Sequence, residues 1–102
     1  MPPAKPELDN SWTFLSNYSH VLLCLAQDPE LTLRQVSLQV GITERSVQRI
    51  IADLEGSGVI EKRKLGARNS YLVNRKAKLR HPLEAHCSVG DLVDMVQKRK
   101  GR

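Results

Sequence analysis

Aromatic side chains are scarce in this sequence: one Trp, one Phe and two Tyr among 102 residues. Aromatics bring the largest apolar area per residue, so their scarcity limits the core that one copy of a small chain can assemble. A second copy is a natural source of the missing burial. Long apolar runs are absent as well. The longest, "VLLCLA" at 21 to 26, falls far short of the ~20 residues a spanning helix needs. The opening "MPPAKPELDN" is polar and Pro-rich, without the apolar stretch of a secretory signal. Two cysteines, Cys24 and Cys87, make no disulfide framework and suit a reducing compartment. These absences point to a soluble, cytoplasmic chain with no membrane partner.

Catalytic motifs are missing too. The chain has no G-x-S-x-G, no phosphate-cradling glycine loop and no His–carboxylate cluster at catalytic spacing, so an enzyme is not expected. Glu84 between His81 and His86 is the nearest approach, in a stretch that reads as irregular. Metal ligation has slightly more to recommend it. His20 and Cys24 stand one helical turn apart, and His81, His86 and Cys87 lie downstream. However, Cys24 sits in an apolar run, His86 and Cys87 are adjacent rather than spaced to chelate, and no C-x-x-C occurs. No metal or other cofactor is expected.

What is present is positive charge, and its placement matters more than its sum. The formal net charge is +5. Residues 61 to 80 hold eight cations against Glu61 alone, whereas the first sixty residues are net acidic. A cationic quarter on an otherwise acidic chain suits a polyanion bound on one face. Taken alone, the run could equally be a solvated surface.

Hydrophobic spacing arranges the elements. Residues 1 to 9, with Pro2, Pro3 and Pro6, read as a flexible tail. Asn10 or Ser11 can cap a helix from about Trp12 to Gln27, with Trp12, Leu15, Tyr18, Leu22 and Leu25 as its core stripe. Trp12 and Phe14 could instead meet another subunit. After "DPE" (28 to 30), a short helix from about Thr32 to Val40, with Thr32 as its N-cap, buries Leu33, Val36 and Val40. Gly41 permits a tight exit, Ile42 fills the corner, and Thr43 caps a third helix, about 44 to 56. Glu44 at its first position suits the macrodipole. Val47, Ile50, Ile51 and Leu54 face inward. The small Ser37, then Gly41, Ile42, Val47 and Ile50, form the packing pattern of a helix-turn-helix, which pushes one face of the third helix outward. On that face fall Arg45, Gln48 and Arg49, with Thr43 and Ser46 near its N-terminal end. Arg forks fit guanine edges, Gln fits adenine, and hydroxyls reach phosphates.

Two short candidate strands follow, Val59 to Lys64 and Ser70 to Asn74, joined by the tip "LGARN" (65 to 69). The tip carries Arg68 and Asn69, flanked by Arg63 and Lys64. A basic hairpin directly after such a helix is a wing that would lie on a phosphate strand or in a minor groove. Charged edges that deter aggregation are the plainer reading. Arg75, Lys76, Lys78 and Arg80 either extend the phosphate-binding surface as an arm or are simply solvated. Ser88 and Asp91 spell an S-x-x-D capping box that opens a last helix, with Val89, Leu92, Val93 and Val96 on one stripe. The predicted fold is mainly α with a small β-hairpin: a winged helix-turn-helix over 10 to 80, and a C-terminal segment over 81 to 102 with a dimerisation helix.

Residues 31 to 73 resemble the winged helix-turn-helix core of MarR-type and related small bacterial transcription regulators. The more specific parts are Leu54, Glu55, Gly58 and Ile60 at the passage from helix to wing, and Arg68, Asn69 and Tyr71 entering the second strand. The resemblance implies duplex DNA binding by Arg45, Gln48 and Arg49 on the reading helix and Arg68 on the wing. The chain is shorter than typical MarR-type regulators, whose longer terminal helices enclose a ligand pocket. A homodimer through the first and last helices would set two reading helices on an imperfect inverted repeat. The alternative is a winged-helix module that binds protein or RNA without operator specificity. Such modules tend to lose the basic residues that both helix and wing keep here.

Overall fold

The computed structural model of the chain describes residues 12–101. Helix α1 (Asn17–Gln27) leads to α2 (Leu33–Val40) and α3 (Glu44–Gly56), then strands β1 (Ile60–Leu65) and β2 (Arg68–Val73), and finally α4 (Val89–Gly101). This is a winged helix-turn-helix with flanking helices, as the spacing predicts.

Helix α1 starts later than its apolar repeat suggests. Its N-cap is Ser16, whose side chain makes no capping hydrogen bond, and the Asn10 and Ser11 caps lie outside the described residues. Upstream, the Thr13 hydroxyl donates to the Leu15 carbonyl, a local bond that competes with helical geometry. The expected stripe is therefore wrong at its front end. Leu22 and Leu25 are buried, Leu15 is half-buried, and Val21 rather than Tyr18 completes the core face. Trp12 is 65% exposed and Phe14 92% exposed, the two rings meeting edge to face at 4.9 Å.

The middle of the chain follows its local chemistry closely. Thr32 and Gln35 form a reciprocal capping box: the Gln35 N–H donates to the Thr32 hydroxyl at 3.1 Å, and the Thr32 N–H donates to Gln35 Oε1 at 2.9 Å. Gly41 ends α2 with φ +86°, and its N–H donates to the Ser37 carbonyl at 2.8 Å. A side chain there would be strained, since only glycine visits this region freely. Ser37 is buried as a small contact residue, its hydroxyl donating to the Arg34 carbonyl. Val36, Val47, Ile50, Ile51 and Leu54 join Val21, Leu22 and Leu25 in one core.

The hairpin differs in its details. Ile60 pairs with Val73 and Leu65 with Arg68, leaving only Gly66 and Ala67 as the tip, with Gly66 at φ +65°. Both strands run closer to the turn than expected, so Arg68 and Asn69 belong to β2 and not to the tip. One glycine at positive φ suffices for a two-residue turn, and the longer loop was unnecessary. Buried Ile60 and Tyr71 seat the hairpin on the core, and the Tyr71 N–H donates to the Pro29 carbonyl at 3.1 Å.

The basic segment after the hairpin is stitched down rather than free. The Val89 N–H donates to the Ala77 carbonyl at 2.7 Å, and the Leu79 N–H donates to that of Cys87 at 3.0 Å. Gly90 meets Arg75 so closely that a Cβ would stand 3.1 Å from the Arg75 carbonyl oxygen. The S-x-x-D box forms as read: the Asp91 N–H donates to the Ser88 hydroxyl at 3.1 Å, and the Ser88 N–H to the Asp91 carboxylate at 2.9 Å. Helix α4 packs on α1 of the same chain, with Val89 and Val93 buried and Gln97 Nε2 donating to the Leu23 carbonyl at 2.9 Å.

Candidate nucleic-acid interface

Burial of Val47, Ile50, Ile51 and Leu54 fixes which side of α3 faces away from the body. At 3.6 residues per turn, Arg45 and Arg49 share one outward line, and Glu44 and Gln48 share the next. All four are exposed. Among the described residues, neither Arg45 nor Arg49 forms an ion pair. The two hydroxyls at the start of the helix are occupied differently from the arginines. The Thr43 oxygen accepts from the Ser46 N–H at 3.0 Å and donates to the Ser46 hydroxyl at 3.0 Å, so this pair builds the helix start. Thr43 is exposed and Ser46 half-buried.

One neighbour of this surface escaped the sequence. The Tyr18 hydroxyl donates to the Asp53 carboxylate at 2.5 Å, tying α1 to the far half of α3. That hydrogen bond, with desolvation and the Asp53 charge, holds the phenol above its ordinary value, while the Arg49 guanidinium pulls the other way. The aromatic repeat assigned Tyr18 to the core. No local signal marks a bond between side chains so far apart in sequence. Tyr18 and Asp53 also line an open groove of about 720 Å³, which Leu22, Leu54, Lys78 and Arg80 border.

The hairpin divides its cations between two faces. Alternation and register put Lys62 and Lys64 on the side of Asn69 and Tyr71, and Arg63 on the opposite side with Arg68. Arg63 pairs with Glu61 at 3.4 Å, and Arg68 reaches Glu30 at 3.7 Å, both pairs exposed. In the segment beyond, Arg75 pairs with Asp94 at 2.8 Å, whereas Lys76, Lys78 and Arg80 are exposed without an ion pair among the described residues. Thus the structure gathers Thr43, Arg45, Ser46, Gln48 and Arg49 at one helix start. It brings Arg63, Lys64, Arg68 and Asn69 together only as two sides of a ribbon.

The rival metal and thiol residues do not converge. His20 Nδ1 lies 3.0 Å from Asn17 Oδ1, and the Cys24 thiol donates to Gln39 Oε1 at 3.4 Å. Burial pushes the Cys24 thiol up, which disfavours the reactive thiolate. Among the described residues no group of three or more His, Cys, Asp or Glu could hold a metal ion. Also among them, no helix is long and apolar enough to cross a membrane.

Residues 19–61 match a family model described as winged helix-turn-helix DNA-binding. No curated protein and no solved structure matches the chain. The matched residues run from the body of α1 through α3 into β1, so the match and the architecture agree on a winged helix-turn-helix unit of the kind that binds DNA.

Proposed function

We propose that the chain is a sequence-specific, double-stranded DNA-binding transcription regulator of the MarR-like bacterial type, acting in the cytoplasm. The observation that carries this reading is the outward line of α3, where Arg45 and Arg49 stand exposed and unpaired among the described residues, with Gln48 beside them. In a major groove, Arg45 and Arg49 fork onto guanine edges and Gln48 onto adenine. Thr43 and Ser46 bring the helix N-terminus against a phosphate. The hairpin supplies positioning: Lys64 and Asn69 from one face, Arg63 and Arg68 from the other, against the flanking backbone or minor groove. Exposed ion pairs such as Arg63–Glu61 and Arg68–Glu30 are worth only about 0–1 kcal/mol, so both arginines can exchange a carboxylate for a phosphate.

The unit over 10 to 80 reads DNA, and its first helix together with the last helix, in the segment over 81 to 102, makes the dimer contact. Because α4 packs on α1 within one chain, a second copy would meet the outer surfaces of these elements. Trp12 and Phe14 ahead of α1, Tyr18 within it, and Met95 and Val96 on α4 are exposed apolar side chains there. Two copies would place reading helices about 34 Å apart on an imperfect inverted repeat. Simple occlusion of a promoter is the direct mechanism. Electrophoretic mobility shift against the DNA upstream of the chain's own reading frame tests the function. Retardation that survives unrelated competitor supports it, and indifferent binding points to a module without operator specificity. A solution mass of 11.5 kDa at micromolar concentration would remove the dimer.

A further inference from the structure

The leading end of α3 carries an acid where a polyanion is to be met. Glu44 is the first residue of the helix, is exposed, and has no hydrogen-bond or ion-pair partner among the described residues. Its nearest explanation is local, as a carboxylate beside a helix N-terminus. That charge effect needs no hydrogen bond, and the cap itself is made without Glu44, which leaves its carboxylate free to meet a ligand. Thr43 supplies the cap bond to the Ser46 N–H, and Ser46, not Glu44, occupies the position from which a box partner would reach back. Other exposed acids on the face of the hairpin and linker are engaged: Glu61 with Arg63, and Glu30 with Arg68.

Resting on the DNA-binding reading above, we infer that Glu44 is a base-reading residue that selects cytosine next to the guanine taken by Arg45. A carboxylate cannot donate, and it repels phosphate, so at this position it lowers affinity for every sequence. A donor on a base edge offsets that loss. In the major groove the cytosine N4 amino group is such a donor, and Glu is a stereochemical match for it. Glu44 and Gln48 lie on one line of the helix beside Arg45 and Arg49, and the N-terminal residues of an inserted helix are those that reach base edges. Glu44 therefore sharpens specificity chiefly by rejection.

The test is selection of binding sites from randomised duplexes by the full chain, as wild type, Glu44→Ala and Glu44→Gln. Anisotropy titrations with the selected and a scrambled duplex accompany it, and circular dichroism checks that each variant is folded. The wild type should enrich a C·G pair at one position of each half-site. Glu44→Ala should lose that preference alone, a discrimination of roughly 5- to 100-fold falling to near unity. It should also bind the scrambled duplex several-fold more tightly. Glu44→Gln should move the preference at that position toward adenine. A folded Glu44→Ala protein that keeps the wild-type preferences at every position overturns the inference, as does a wild type that enriches no cytosine there. A wild type that binds no duplex at all instead defeats the DNA-binding reading itself.

Discussion

Helix α3 and the hairpin carry the same kind of charge and hold it differently. The α3 arginines stand on a line opposite four buried apolar residues and meet no carboxylate at ion-pair distance among the described residues. The hairpin arginines each have a carboxylate alongside, Glu61 for Arg63 and Glu30 for Arg68. A count of cations in the sequence therefore overstates the hairpin arginines, while both α3 arginines stay without an ion pair among the described residues. Folding decides which charges are available by what it places beside them. If this contrast governs function, the helix should set selectivity and the hairpin should set general affinity.

The largest effect should come from unseating α3. Ile50→Ala opens a void beneath the reading line and should cost about 2–5 kcal/mol in urea denaturation, with DNA binding lost alongside. Next, Arg45→Ala should leave the thermal midpoint unchanged and cost roughly 1–3 kcal/mol on a selected duplex, but little on a scrambled one. Arg68→Ala should weaken both duplexes alike. Equal losses from both arginine variants on both duplexes would erase the contrast.

Smaller effects probe the supports. The Asp91 carboxyl is held below its ordinary value by the hydrogen bonds from Ser88. A carboxyl with a depressed folded pKa stabilises above its unfolded value and loses that contribution as pH falls through the folded value. Asp91→Asn should therefore lower stability at neutral pH, and its difference from wild type should close in melts run below the ordinary carboxylate range. The smallest change belongs to Glu30→Ala. Removing an exposed partner should shift stability by less than about 1 kcal/mol, and should slightly strengthen binding to every duplex by releasing Arg68.

What was legible in the sequence had a local cause. The buried stripe of α3, Gly41 at the turn, the Thr32 and Thr43 caps and the Ser88–Asp91 box each depend on residues within a turn or two of one another. What misled depended on distance. Trp12 continues the apolar period of α1 but lies ahead of the helix, which begins only at Asn17, and Tyr18 within it is 42% exposed and bonded to Asp53 rather than buried. Arg68 looked like a tip residue because the glycine before it sits in a plausible loop, whereas the register closes the hairpin at Gly66 and Ala67. Its pairing with Glu30, like that of Tyr18 with Asp53, joins residues whose proximity only the fold creates. The outward placement of Arg45, Gln48 and Arg49 was legible because one helix period decides both what is buried and what is presented.

In the proposed function, α3 reads bases while the hairpin holds the backbone. An NMR titration of the labelled full chain tests it most directly, following the Arg Nε–H and Gln side-chain amide signals with a selected and a scrambled duplex. Arg45, Arg49 and Gln48 should shift strongly with the selected duplex only, while Arg63 and Arg68 should shift with both. Perturbations confined to other elements, with the α3 signals unmoved by either duplex, would contradict it.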